Sequence, residues 1–327
     1  MANQLSTNIS LDKTTLNEIA SELGVQVAFI EKDWYTCQAL KAVASIKSDD
    51  FTVIFSGGTS LSKAHSLIQR FSEDLDFRCQ YNKEMSGNQQ KNARRKFKEQ
   101  VVGGIESLDL FKVGPLEAAS YYIKCELFYE SLFELHDSLR GHLQIEFSFT
   151  QPQLEPTVKN VTSFVHYFSG LANEVSIPCL SPVEIAADKL SALCWRILKR
   201  DRNNEEEDDP TFVRHLHDLY ALSDHINHTP EKFYSLFKAS YAVDQKTPAR
   251  QTGFEALEAM AFIVDKLRSD NLYKTEYKKF VDTMSYARDD EQISFDQTIK
   301  NLDLLAIRAG AQKMFRKPLK NSQEFGE

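Results

Sequence analysis

The sequence predicts a two-part protein: a first half of α/β or α+β type built on a mixed sheet, then a helical second half. Three observations predict it. Short β-branched or alternating runs interleave with helical periods up to about residue 180. Strand-like runs follow one another directly late in that half. From Ser181 onward nearly all apolar spacing is helical.

In order, LDKTTLNEIASELG repeats Leu11, Leu16, Ile19 and Leu23 at helical spacing, and Gly24 can end the helix. VQVAFIEKDWYTCQALKAVASI sets Ile30, Trp34, Cys37 and Leu40 along one side of a second helix. FTVIF is a short apolar β-branched run and predicts a buried strand. TSLSKAHSLI follows as a short helix, and SEDLDFRC alternates polar and apolar residues as a strand does. QQKNARRKFKEQVVGGIESL predicts a helix with Ala93, Phe97, Val101, Ile105 and Leu108 inward. YYIKCELFYE and HLQIEFSF predict two more strands, and SFVHYFSG an extended stretch leading to VSIPCL. SPVEIAADKLSALCWRILKR is the clearest helix of the second half. After the charged loop DRNNEEEDDP, helical periodicity resumes at TFVRHLHDLYALSDHI and runs to about Met314; the tail RKPLKNSQEFGE is expected to fray. A boundary near residue 180 divides 1–180, a core with N-terminal helices, from 181–327, a helical domain.

Composition narrows the class. A hydrophobic share of 42% and a charged share of 26% suit a soluble globular chain. No apolar run is long enough to span a bilayer, and the N-terminal segment lacks the blocks of a signal peptide. The expectation is a cytoplasmic protein without a membrane partner. A net charge of −8 opposes nucleic-acid binding by the whole surface, though not by a local basic patch. The five cysteines are scattered, odd in number and without a CxxC, so buried reduced thiols are expected.

The chemistry concentrates in FSGGTSLSKAHSLIQRFSEDLDF, Phe55 to Phe77. A strand ending in Gly57-Gly58 and turning into a helix brings backbone close to a ligand and aims free N–H groups at an anion. Thr59 and Ser60 add hydroxyls, and Lys63 can lie one turn along. The spacing is not that of a Walker P-loop. About sixteen residues after the glycines, Ser72, Asp74 and Asp76 share one strand face, with Glu73, Leu75 and Phe77 on the other. Glu73 is therefore expected to tolerate substitution better than either aspartate. Two carboxylates on one face repel unless a cation sits between them, and a hard divalent ion such as Mg²⁺ (or Mn²⁺) is the natural partner. A phosphate turn beside a metal pair suits in-line displacement on a nucleoside triphosphate (NTP). That chemistry calls for a third acid on a nearby strand, and Glu146 of HLQIEFSF faces away from Leu143, Ile145 and Phe147.

The stretch GGTSLSK…RFSEDLDF resembles the AbiEii-type nucleotidyl transferase toxins of abortive-infection and toxin–antitoxin systems, within the DNA polymerase beta-like nucleotidyltransferase superfamily. SPVEIAADKLSAL and HDLYAL resemble that family's later motifs. The resemblance implies an α+β, polymerase beta-like core with a mixed sheet and a helical C-terminal half that completes the nucleotide site. It implies that Gly57, Gly58 and Ser60 hold the triphosphate, that Asp74 and Asp76 bind the metal, that Lys189 neutralises phosphates and that Asp218 completes the site. Arg70 and Ser72 flank the acids as in the family pattern. A glutamate at 146, where polymerase-like enzymes usually place aspartate, is a departure.

Plainer readings exist for the other motifs. Ser181, Pro182 and Glu184 fit a helix capping box. Lys189 lies off the Glu184 face and otherwise reads as a snorkelling rim residue. His215 and His217 point to different helix faces, which argues against a shared metal. Glu205 to Asp209 reads as a solvated acidic loop. Lys91, Arg94, Arg95 and Lys98 form a basic stripe, either a solvated face or a track for an RNA backbone.

The expected function is Mg²⁺-dependent transfer of a nucleoside monophosphate from an NTP to an acceptor. The resemblance implies tRNA or another RNA as acceptor, a cognate antitoxin as partner, and a role as a toxin in phage defence. The alternatives are a same-fold enzyme modifying a protein or small molecule, and a non-catalytic nucleotide-binding module.

Overall fold

A computed structural model describes residues 11–119, 121–135, 139–204 and 208–310. The chain divides into two units, one running through Ser181 and taking in Met284–Arg288, the other comprising Pro182–Thr283 and the chain from Asp289.

In the first unit, Asp12 accepts from the backbone N–H groups of Thr14 and Thr15 and starts α1 (Lys13–Leu23), which Gly24 closes at φ 65°. α2 (Val27–Ser45) is buried on nearly every side. Besides the expected apolar side it buries Glu31, Lys32 and Asp33, so the one-sided reading of this helix was incomplete. β1 (Phe51–Ser56) leads into α3 (Gly57–Lys63), which takes in the glycine pair. β2 (Asp74–Tyr81) is followed by α4 (Gly87–Glu106), begun by a capping box between Ser86 and Gln89. Then come β3 (Lys112–Ala118), β4 (Tyr122–Phe128), β5 (Leu143–Ser148), β6 (Thr157–Val161), α5 (Phe164–Phe168) and β7 (Val175–Cys179).

The described strands form one seven-stranded mixed sheet in the order β3-β4-β5-β2-β1-β7-β6. β1 is antiparallel to β2 and parallel to β7, while β2 is parallel to β5. SFVHYFSG is not extended: Ser163 accepts from the N–H of His166 and caps the short α5. β3 and β6 were not foreseen. They are the two edge strands, and neither shows the alternation of a half-buried strand.

One face of the sheet is the core. Phe55, Phe77 and Phe147 make an aromatic row, with centroids 5.5 Å apart for the first pair and 5.1 Å for the stacked second pair. Phe97 of α4 meets Phe147 edge-on at 5.3 Å. Each such buried ring contributes roughly 1.5–3 kcal/mol. Because strand side chains alternate, the residues between them point to the opposite face, and there the acids stand.

The second unit is helical: α6 (Pro182–Lys199), α7 (Arg214–Ala221), α8 (Ser223–His228), α9 (Pro230–Asp244), α10 (Ala256–Ser269), α11 (Leu272–Phe280) and α12 (Phe295–Arg308). α6 packs on α9, α10 and α7, and Leu190, Leu193 and Ile197 of α6, Phe233 and Phe237 of α9 and Ile263 of α10 are all buried. The acidic loop is not simply solvated. Arg200 pairs with Asp208 at 2.6 Å and with Glu276 at 2.8 Å, and lies over the rings of Phe212 and Tyr273. Arg196 pairs with Asp209. Glu205–Glu207, and the tail at 316–327, lie outside the described residues. Pro182 opens α6, and Glu184 in its first turn is fully buried. No helix among the described residues is long and apolar enough to cross a membrane.

Candidate active site

Close packing of backbone against carboxylate organises the site. Gly57 follows β1 at φ 74°, and a Cβ there would lie 1.9 Å from Oδ2 of Asp76. Glycine is required on both counts, since any side chain would strain the backbone and displace the acid. A Cβ on Gly58 would lie 2.8 Å from Oγ of Ser72 and 3.2 Å from Nη2 of Arg70. Thr59 donates its hydroxyl to the carbonyl of Asp74, and Ser56 donates to the carbonyl of Asp76 at 3.2 Å. The turn is thus tied to β2 residue by residue.

On β2, Asp74 and Asp76 share one face while Leu75 and Phe77 are buried on the other. In register, Asp76 lies between Ser56 of β1 and Glu146 of β5, and Glu146 lies beside Lys124 of β4. The register therefore brings Gly57, Gly58, Ser72, Asp74, Asp76 and Glu146 to one end of the sheet.

Sequence reasoning missed three residues beside the acids. Arg140 places Nη2 at 2.8 Å from Oδ1 and 2.9 Å from Oδ2 of Asp74, and Nη1 donates to Gln144 at 3.0 Å. Its backbone N–H donates to Glu73, at 3.1 Å for the nearer oxygen, and its carbonyl accepts from Nζ of Lys32. Lys32 also pairs with Glu73 at 3.5 Å. Glu73 is only 2% exposed, so the face opposite the aspartates does not leave it in solvent. The one sequence signal for Arg140 is its place just before the β5 run.

Two expected phosphate ligands are engaged elsewhere. Lys63 pairs with Asp33 at 2.7 Å and lies over the ring of Phe164. Burial pulls the Lys63 ammonium down, but the Asp33 carboxylate outweighs it and raises its pKa. The pair lines a cavity of about 20 Å³ shared with Lys32, Arg70 and Glu73, with room for about one water rather than a phosphate. Ser60 is fully buried and donates to the carbonyl of Gly57 at 2.9 Å.

The basic stripe lies on the other side of the sheet. Phe97, on the same helix, packs on Phe51, Phe147 and Phe149, all on the face opposite Asp74 and Asp76. Lys91 and Arg95 are exposed, Arg95 pairs with Glu99, Lys98 is half-buried, and Arg94 donates to the hydroxyl of Tyr81.

In the second unit Lys189 of α6 and Asp218 of α7 form an ion pair at 2.8 Å, with exposures of 7% and 0%. Nδ1 of His217 lies 3.2 Å from Oδ1 of Asp218.

Among the described residues, no three His, Cys, Asp or Glu side chains stand together as a preformed metal-binding group. Asp74 and Asp76 still suit Mg²⁺, which takes hard oxygen ligands and is commonly held by one or two carboxylates, with the remaining positions filled by substrate phosphates and water. The Asp74 side chain is 29% exposed, with Nη2 of Arg140 against its carboxylate.

Comparison with known proteins bears on the family and the fold. A family model described as "Nucleotidyl transferase AbiEii toxin, Type IV TA system" matches residues 38–301. Among solved structures, the chain is similar to MenT4, a nucleotidyltransferase toxin from Mycobacterium tuberculosis H37Rv, with a TM-score of 0.55 and 15% identity over 90% of this chain and 99% of that one. At that identity the likeness speaks for the fold. No curated protein matches the sequence. With a glycine turn packed on paired acids, and a family match over most of its length, the chain belongs to the AbiEii family of nucleotidyl transferase toxins of type IV toxin–antitoxin systems.

Proposed function

We propose that the reaction is transfer of a nucleoside monophosphate from an NTP to the 3′ end of tRNA. One observation carries the placement: Gly57 is packed directly on Asp76, so a triphosphate lying over the Gly57-Gly58 backbone meets both aspartates. Asp74 and Asp76 would hold Mg²⁺ (or Mn²⁺), which when bound neutralises triphosphate charge. The acceptor hydroxyl attacks the α-phosphorus, the bond to the β-phosphate oxygen breaks, and pyrophosphate leaves. Glu146, beside Asp76 in register, takes the hydroxyl proton. The tRNA acceptor and an antitoxin partner rest on the resemblance to the family, as does action as a cytoplasmic toxin in phage defence. The basic stripe on α4 offers no direct path to acids on the opposite face, so it is not assigned to the acceptor.

The test uses each of the four labelled NTPs with total cellular RNA and protein. Wild type should label RNA, and Asp74→Asn and Asp76→Asn should lose transfer by at least about a hundredfold with an unchanged melting temperature. Label on protein instead of RNA would replace the acceptor. Full activity in either variant would remove these acids from the site.

A further inference from the structure

Arg140 is gripped by two consecutive acids in two different ways. Glu73 accepts from its main-chain N–H at 3.1 Å, and Asp74 takes its guanidinium through both carboxylate oxygens, at 2.8 and 2.9 Å. Lys32 secures the same joint from beneath, reaching the Arg140 carbonyl and the Glu73 carboxylate. The Glu73 side chain is buried, whereas the Arg140 side chain is 36% exposed and the Asp74 side chain 29%. The guanidinium also reaches Glu73 through Nε at 3.5 Å and Gln144 through Nη1 at 3.0 Å, so Nη2 can shift off Asp74 while the main-chain bond to Glu73 stays.

We propose that Arg140 is a resident counter-cation that occupies the Asp74 carboxylate and must yield it when a divalent ion binds. The inference rests on Asp74 being a metal ligand, as proposed above. Through Nη2 the guanidinium sets a positive charge against both oxygens of Asp74, while Nη1 is held by Gln144. A divalent ion approaching Asp74 meets that positive charge at contact distance. Metal binding without nucleotide is therefore weak. An NTP corrects this, because its phosphates offer the displaced guanidinium a second anion of matching geometry. Arg140 is thus a positioning residue that couples metal binding to nucleotide binding, so that the acids are armed only when substrate is present.

The experiment measures Mn²⁺ binding to the full chain by electron paramagnetic resonance of the free ion, with and without a non-hydrolysable NTP analogue. The proteins are wild type, Arg140→Gln, Arg140→Lys and Asp74→Asn. Every substitution at Arg140 keeps the main-chain bond to Glu73, and thermal melts check the fold. Without nucleotide, Arg140→Gln should bind Mn²⁺ about tenfold tighter than wild type, the factor expected for removing one cation at contact distance. Arg140→Lys, which keeps the charge but loses the planar head and its bond to Gln144, should fall between them. The gain in Mn²⁺ affinity caused by the analogue should be large in wild type and small in Arg140→Gln. Equal or weaker Mn²⁺ binding in Arg140→Gln, with binding lost in Asp74→Asn, would overturn the role of Arg140 and leave the metal site intact. Undiminished binding in Asp74→Asn would overturn the metal site itself. If Arg140→Gln melts early, the wild-type and Arg140→Lys comparison decides, and equal affinities and equal analogue effects in that pair count against the proposal.

Discussion

Glu73 and Asp74 are neighbours in sequence and partners of the same arginine, yet alternation along a strand made them look unrelated. The period-two rule correctly sends Asp74 and Asp76 to one face and Leu75 and Phe77 to the other. It fails at Glu73 because β2 begins at Asp74, and the residue before it turns into a buried joint between α2 and Arg140. Periodicity says where a side chain points, and nothing about charges waiting there from residues 32 and 140. Burial also pulls the Lys32 ammonium below its ordinary pKa, against the pull of Glu73. Removing Glu73 leaves that ammonium buried without this partner and strips the Arg140 N–H of its acceptor. Glu73→Ala should therefore cost about 3–5 kcal/mol, the range for breaking a buried ion pair, measured as a shift in urea midpoint. A loss under about 1 kcal/mol would return Glu73 to the tolerant role that alternation assigns it.

At the scale of elements, the β1–turn–α3–β2 run could be read from sequence because its signals are local. A β-branched run, two glycines and an alternating acidic strand each specify their own geometry, and the register sets Glu146 beside Asp76. Edge strands β3 and β6 gave no such signal, since half their neighbours are missing and their patterns follow pairing rather than burial. The aromatic run of α5 has β propensity, which the Ser163 cap overrides. The engagement of Lys63 with Asp33 was equally hidden, because the two lie thirty residues apart on different helices. The Lys189–Asp218 pair shows what propensity can and cannot give: both residues fall on foreseen helices, but their pairing is tertiary. Asp218 is fully buried, so Asp218→Ala strands a buried ammonium and should destabilise the second unit by about 3–5 kcal/mol. The double variant Lys189→Met with Asp218→Leu should recover at least half of that loss in a denaturant-based double-mutant cycle, since no charge is then left without its partner. Additive losses would show that the two residues do not act as a pair.

Across the whole molecule, the cysteines tie composition to behaviour. Their number and scatter predict inert thiols, and Cys37, Cys79, Cys125, Cys179 and Cys194 are all free and buried, four in the first unit and one in the second. Burial raises every one of their pKa values, to about 11 for Cys125 and about 12 for Cys179 from an ordinary 9.0. Above pH 9 the unfolded chain loses thiol protons that the folded chain keeps. The stabilising contribution of these groups is therefore complete below pH 9 and is lost as pH rises toward 11 for Cys125 and 12 for Cys179. Each contributes a slope of about 1.4 kcal/mol per pH unit within its window. Urea unfolding of wild type and Cys125→Ala between pH 8 and 11 should diverge in slope by about that amount above pH 9, with no divergence below it. At pH 8 an aromatic disulfide reagent should leave the native protein unmodified and titrate all five thiols once urea unfolds it. Rapid modification of the folded chain, or parallel stability curves for the two proteins through pH 11, would show that the thiols are reachable by water and that burial does not hold them neutral.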